Sequence, residues 1–225
     1  MKTPIAVCAI DTGMGKSVVT GLLARHLLDR GRVVITQKPV QTGCSGRPGD
    51  ILLHRQLMGA DWHDLDEKQL TCSYCLPFPG SPHLAAQLAG TAIDPAVIDR
   101  ATDTLAAKVD RLIIEAAGGL LVPLTEELLQ LDFFAERGYP IILVTSPRLG
   151  SINHTLLSLE AIRHRNIPLL GLVYNLHGDH PREIVLDTLG VLRRSLGRYG
   201  YNEKIIMLPD MRESRAANWD ILLDG

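Results

Sequence analysis

The feature that most constrains this chain is residues 5–17. Ile5-Ala6-Val7-Cys8-Ala9-Ile10 is an apolar run of strand length, and Asp11-Thr12-Gly13-Met14-Gly15-Lys16-Ser17 follows it as a glycine-containing turn. Val18, Leu22, Leu23, Leu27 and Leu28 then recur at threes and fours, the spacing of one helix face. In a strand, glycine turn and helix of this kind, consecutive backbone N–H groups and a helix N-terminus wrap a phosphate. Gly15 lets the backbone approach the phosphate oxygens, Lys16 is a point charge for the β- and γ-phosphates, and Ser17 offers a hard oxygen to Mg²⁺. Gly13, Met14, Gly15, Lys16, Ser17 and Val18 are therefore the expected nucleotide-binding residues. The usual spacing places a glycine six residues before the lysine, and this chain has Ile10 there.

The rest of the chain repeats the alternation of strand and helix. A β-rich run at 33–37 leads into Lys38-Pro39-Val40-Gln41-Thr42-Gly43, where the proline makes Lys38 extended and ends the strand. Residues 44–49 read as a Gly- and Pro-containing loop, and Asp50 as the cap of a helix through Met58. Residues 61–80 carry no readable period. Helices are predicted at 81–89 and 95–108. Arg111-Leu112-Ile113-Ile114-Glu115 is an apolar strand ending in a carboxylate, followed by Ala116-Ala117-Gly118-Gly119. A carboxylate at the end of a buried strand beside a phosphate loop is the second half of many nucleotide–metal sites. Further strands are predicted at 141–145, 169–174 and 205–208, the last stopped by Pro209. Helices fall at 151–165 and 181–198, and a short one is expected at 218–224.

Strands this apolar, separated by helices, predict an α/β fold with a mostly parallel sheet covered by helices on both faces. Residues 1–225 are expected to form one domain, since no linker or repeat divides them. Ligands in such sheets bind at the carboxyl ends of the strands. Lys16, Lys38, Glu115, Arg148 and Asn175 all fall just after predicted strands, so several chemical groups should converge on one edge. A net charge of −2 implies no general attraction to nucleic acid or anionic lipid, and no apolar run approaches the roughly 18 residues of a membrane span. With no signal-peptide pattern at the N-terminus, a cytoplasmic protein with four reduced cysteines is expected. Cys72 and Cys75 have the spacing of half a zinc site, but no second pair follows.

These stretches together resemble the dethiobiotin synthetase family, ATP-dependent enzymes with a P-loop NTPase-like fold. The resemblance runs to about Pro209. It is carried by Asp11-Thr12 with Gly15-Lys16, by Lys38-Pro39-Val40 with Thr42-Gly43, and by Ser81-Pro82-His83. It continues through Glu115 with Ala117-Gly118-Gly119 and Pro123-Leu124, then Leu149-Gly150-Ser151-Ile152-Asn153-His154, and Asn175. Ala9 and Ala116 stand where the family has glycine, and Arg148 where lysine is usual. A methyl group there costs on the order of 1 kcal/mol or more if the backbone needs φ > 0, and nothing if φ is negative.

The resemblance implies ATP and Mg²⁺ as cofactors and 7,8-diaminononanoate and CO₂ as substrates. A carbamate forms on one amine, is phosphorylated to a carbamic–phosphoric anhydride, and is displaced by the second amine to close the ring. Lys16, Lys38 and Thr12 are the implied catalytic residues, with Ser17, Asp50 and Glu115 on the metal. Asn175 and Pro209 are implied at the nucleotide base. Lys38, Thr42, Gly118, Leu149, Gly150, Ser151, Ile152 and Asn153 are implied at the substrate, the 149–153 segment reaching the neighbouring subunit of a homodimer. The competing readings are an amide-forming synthetase of the same fold group, a nucleotide-binding paralogue with little turnover, and a partition-type ATPase switch. The last is disfavoured by Ala9-Ile10-Asp11 early in the loop and by the acidic tail.

Overall fold

The structure, a computed structural model, describes residues 3–209 and 217–223. Its centre is a six-stranded parallel sheet in the order β2 (Val34–Gln37), β5 (Arg111–Glu115), β1 (Ile5–Ala9), β6 (Ile141–Thr145), β7 (Leu169–Asn175), β8 (Ile205–Leu208). Every residue of β1, β2 and β6 is buried. A strand buried at successive positions is covered on both of its faces, because neighbouring side chains point to opposite sides. The cover comes from α1 (Lys16–Leu28), α2 (Gly49–Met58), α5 (Pro95–Ala106), α6 (Gln130–Glu136), α7 (Ser151–His164) and α8 (Arg182–Arg198). The α/β architecture is the one the alternating pattern implied. In the tail, α9 (Asp220–Leu223) is held by Asp220, whose carboxylate pairs with His26 and Arg30 of the α1 region. Asp224 of the tail lies outside the described residues.

Between β2 and α5 the chain builds what periodicity did not reveal. After Pro39 it re-enters a strand, β3 (Val40–Thr42), which pairs in parallel with β4 (Tyr74–Leu76) as a separate two-stranded sheet. Three-residue strands are too short to display a period. Residues 61–80 contain α3 (Asp64–Glu67), and α4 (Pro82–Leu88) follows with Pro82 in its first turn. Asp50 is not the cap of α2. The helix starts at Gly49 with Pro48 before it and no side-chain cap, and the Asp50 carboxylate is turned to the strand ends instead.

The segment is tied to the sheet by a buried ion pair. Arg55 Nε and Nη2 donate to Asp66 Oδ2 and Oδ1 at 2.9 and 2.7 Å, and Arg55 Nη1 donates to Thr36 Oγ1 at 2.8 Å. Thr71 Oγ1 and the His63 N–H also donate to the Asp66 carboxylate, at 2.6 and 2.8 Å. Both side chains are at least 95% buried. Burial opposes the Asp66 charge, but the Arg55 and Thr71 hydrogen bonds outweigh it and hold the carboxyl below its usual range.

Asp66→Ala leaves the Arg55 guanidinium buried without its partner, so a loss of about 3 kcal/mol is expected in urea unfolding at neutral pH. The folded pKa is depressed, so this stabilisation is complete above the unfolded value near 4 and disappears as pH falls through the folded one. The gap between wild type and variant should therefore narrow in unfolding curves taken below about pH 4.

Candidate active site

The phosphate loop is closed by residues that need its backbone conformation. Gly15 has φ 89° and sits at the N-terminus of α1. A Cβ there would lie 2.5 Å from Asn175 Nδ2, so both the conformation and the space require glycine. Asn175, the last residue of β7, donates from Nδ2 to the Met14 carbonyl at 3.0 Å and accepts from the His177 N–H at 3.1 Å. Lys16 Nζ donates to the Asp11 carbonyl at 3.2 Å, inside the loop itself. Burial, helped by the nearby Lys38 charge, lowers the Lys16 pKa to about 8. Opposite it, Asp11 Oδ2 accepts from Arg148 Nη2 at 2.7 Å, and that bond with the Thr12 N–H keeps the Asp11 carboxyl below its usual range.

One strand to the side, Lys38 and Glu115 meet across the β2–β5 pair. Lys38 Nζ donates to Glu115 Oε1 at 2.7 Å and to the Ala116 carbonyl at 2.9 Å, and pairs with Asp50 Oδ2 at 3.0 Å. All three ammonium donors are thereby used. Ser17 Oγ lies 2.9 Å from Glu115 Oε1 and 3.1 Å from Asp50 Oδ1. Burial opposes the charge of both Lys38 and Glu115. Their mutual attraction outweighs it, raising the lysine pKa and lowering the glutamate well below its ordinary value. Glu115 is thus ionised and accepts hydrogen bonds without donating one. The five groups expected at strand ends do converge: the bonds of Lys16, Lys38, Glu115, Arg148 and Asn175 run to the loop or to one another.

No sequence pattern singles out His54. It is fully buried on α2, with Nε2 2.6 Å from Glu115 Oε2 and Nδ1 3.0 Å from Thr36 Oγ1. An ionised carboxylate only accepts, so the network assigns the proton to Nε2 and makes His54 the donor. The sequence signal was a polar residue on the apolar side of α2, four positions after Asp50, where Ile51 and Met58 are also buried.

The alanines in place of glycine cause no backbone strain. Among the described residues the non-glycine positions with positive φ are Gln69 and Asn166, so Ala9 and Ala116 lie in ordinary conformations. Gly118 has φ 63°. A cleft of about 450 Å³ opens beside the loop, lined by Thr12, Gly119, Val122, His154, Leu157 and Ala161 among others. Leu149, Gly150, Ser151 and Ile152 do not line it. They face a second cleft with Glu183, Ile184 and Thr188, and Asn153 is exposed on the first turn of α7. Thr42 sits at the end of β3, paired with Leu76, and Pro209 follows β8 directly. The cysteines differ from expectation: Cys44 and Cys75 are joined by a disulfide, while Cys8 and Cys72 are buried free thiols. Spacing could not show this pairing, because it depends on β3 lying beside β4.

Residues 3–206 match the family model described as an AAA domain. Among solved structures, the cell division ATPase MinD of Pyrococcus furiosus is similar in fold, with TM-score 0.54 over 100% of this chain and 89% of that one at 18% identity. The ParA protein of pNOB8 bound to nonspecific DNA also has TM-score 0.54, covering 92% and 79% at 13% identity. Sequence relatives are much nearer. The ATP-dependent dethiobiotin synthetase BioD of Chlorobaculum tepidum is 49% identical over 88% of this chain and 83% of its own. BioD 2 of Pasteurella multocida is 42% identical over 87% and 92%, and that of Haemophilus ducreyi 40% over 91% and 97%. Identity of this level across nearly the whole of both chains places the protein in the ATP-dependent dethiobiotin synthetase family.

Proposed function

We propose that the protein carries out the reaction of its relatives: ATP-dependent carboxylation and ring closure of 7,8-diaminononanoate to dethiobiotin, a step of biotin synthesis. The observation that carries the reading is the meeting of Lys38, Asp50, Glu115 and Ser17 beside the Lys16 loop, in a chain with this much identity to dethiobiotin synthetases. The resemblance to partition ATPases extends to the fold alone.

The reaction joins anions. A carbamate must approach a triphosphate, and fixed positive charge in a buried site lowers that barrier. Lys16, at the head of α1, would hold the phosphates, and Lys38 is assigned to the carbamate and the γ-phosphate. Thr12, at the border of the loop and the apolar cleft, is assigned to the carbamate. The cleft wall of Val122, Leu157 and Ala161 suits the aliphatic chain of the diamine. Gly118 and Thr42 are assigned to the reacting end of the substrate, and Asn175 and Pro209 to the adenine.

Ser17, Asp50 and Glu115 fit a magnesium ion. Among the described residues no three His, Cys, Asp or Glu side chains form a metal cluster, so the protein would supply two carboxylates and a hydroxyl. Magnesium with a nucleotide is commonly held that way, with phosphate oxygens and water completing the shell. The Lys38 ammonium already marks these oxygens as a cation-binding position. Bound there, the ion would neutralise phosphate charge. The protein's part is to keep Glu115 ionised and aimed, which Lys38 and His54 do from opposite sides.

Leu149–Asn153 would serve the neighbouring subunit of a homodimer, receiving the substrate carboxylate at the head of α7. In support, Leu149 is 90% exposed and Leu157 and Leu121 are more than half or half exposed around the two clefts, and the Ser151 hydroxyl is buried without a protein partner. No helix among the described residues is long and apolar enough to cross a membrane, and the proposed location is the cytoplasm. A monomer in sedimentation equilibrium at assay concentration would remove the dimer from this picture.

With bicarbonate, MgATP and 7,8-diaminononanoate, phosphate release should depend on the diamine; release that ignores it would overturn the reading. Lys38→Ala should lower kcat by about 100-fold or more, the scale of removing one transition-state charge contact. His54→Leu removes the second hold on Glu115 and should weaken magnesium-dependent nucleotide binding about tenfold by calorimetry. Magnesium-free nucleotide binding should change little in that variant.

A further inference from the structure

The disulfide lies where the substrate-binding and metal-binding assignments join. Cys44 is two residues past the end of β3, and Cys75 is the middle residue of β4, directly opposite Gln41. Their Cα atoms are 5.4 Å apart, within the span a disulfide needs. The bond therefore fastens the start of the 43–49 loop to the neighbouring strand. Thr42 enters that loop and Asp50 leaves it.

Little else restrains the loop. Gly43, Ser45, Gly46, Arg47 and Gly49 are exposed. At its start the Gly43 and Cys44 N–H groups donate to the Phe78 and Leu76 carbonyls, and at its end the Asp50 N–H donates to Gln41 Oε1. Between them, Arg47 pairs with Glu67 in solvent and lies over the Trp62 ring, and exposed pairs of this kind hold weakly. The two sulfurs differ in access: Cys44 is buried, and Cys75 is partly exposed. The other two cysteines are closed off from exchange, since burial pushes both the Cys8 and Cys72 thiols up to about 12. The Gly46 carbonyl is 3.8 Å from Cys44 Sγ and 3.3 Å from Cys75 Sγ, so both groups would keep an acceptor as thiols and the loop need not unfold on reduction.

We infer that Cys44 and Cys75 form a reversible thiol–disulfide site that sets how firmly the 43–49 loop holds Thr42, Asp50 itself being fixed by Lys38 and Ser17. Oxidation takes two electrons and two protons from the thiols as the S–S bond forms. The co-reactant is a low-molecular-weight disulfide, which becomes two thiols. A dithiol reverses the step: its thiolate attacks the partly exposed Cys75 sulfur, Cys44 leaves as a thiolate and takes a proton, and the second thiol resolves the mixed disulfide. The oxidised form holds the loop; the reduced form lets it open independently of the sheet. The chemistry stands apart from the proposed function, and only its kinetic consequence rests on that reading.

The folded protein is equilibrated in glutathione buffers of graded ratio, quenched, alkylated and mapped by peptide mass spectrometry. Cys44 and Cys75 should pass together from protected to alkylated, with Cys8 and Cys72 unmodified throughout. Hydrogen exchange at residues 43–50 should be faster in the reduced form. The reduced form should also show about a threefold or greater rise in KM for the diamine at similar kcat, as expected when a locally opening loop loses its tether. Cys75→Ser should match the reduced form in both buffers. The inference is overturned if Cys44 and Cys75 alkylate under oxidising conditions, if dithiol leaves the bond intact in the folded protein, or if exchange and KM are the same in both forms. If neither form turns over the diamine, the proposed function fails while alkylation and exchange still decide the thiol site.

Discussion

The buried pair of Lys38 and Glu115 is the interaction on which the site depends. Two charges removed from water are tolerated only when attraction and hydrogen bonding replace their hydration. Here the replacement is complete. The ammonium has Glu115, Asp50 and the Ala116 carbonyl, and the carboxylate has Lys38, Ser17 and His54. The pair also dictates position. Lys38 follows β2 and Glu115 ends β5, and those strands are neighbours in register from Val34 opposite Arg111 to Gln37 opposite Ile114. Backbone pairing thus delivers the two groups to one corner before any side chain chooses a partner.

Behind that corner stands a second layer. Glu115 receives His54, His54 meets Thr36, Thr36 receives Arg55, and Arg55 is locked to Asp66. Each member is buried, so none can leave without stranding its neighbour. The layer explains why 61–80 is ordered despite its lack of period: Asp66 and Thr71 belong to the support of the site. It also explains the orientation of α2. Asp50 faces Lys38, and His54, one turn later, reaches the Glu115 carboxylate from behind.

The alternation of apolar strands and helices is legible because the strands of the large sheet are mostly buried, and β1, β2 and β6 are covered on both faces. Strand boundaries at 111–115 and 141–145 agree with the structure to the residue. The phosphate loop was legible through Gly15-Lys16-Ser17 and its flanking elements. The small sheet was not, since β3 and β4 have three residues each and thirty-odd residues separate their ends. His54 is not legible because a lone polar residue inside an apolar helix face has no signature until its partner is known. The disulfide is not legible for a related reason: Cys44 and Cys75 are distant in sequence and adjacent only through strand pairing.

Local chemistry by itself determined the strand–turn–helix that can wrap a phosphate and the list of charged groups at strand ends, because these follow from periodicity, glycine conformation and ligand type over a few neighbouring residues. It did not determine which of those groups touch. The tertiary structure decided that Asp50 faces a lysine instead of capping its helix, that His54 shares Glu115 with Lys38, and that Cys44 meets Cys75. Those are contacts between residues 12 to 77 positions apart, and only the packing of the sheet and its covering helices brings such distant atoms within bonding reach.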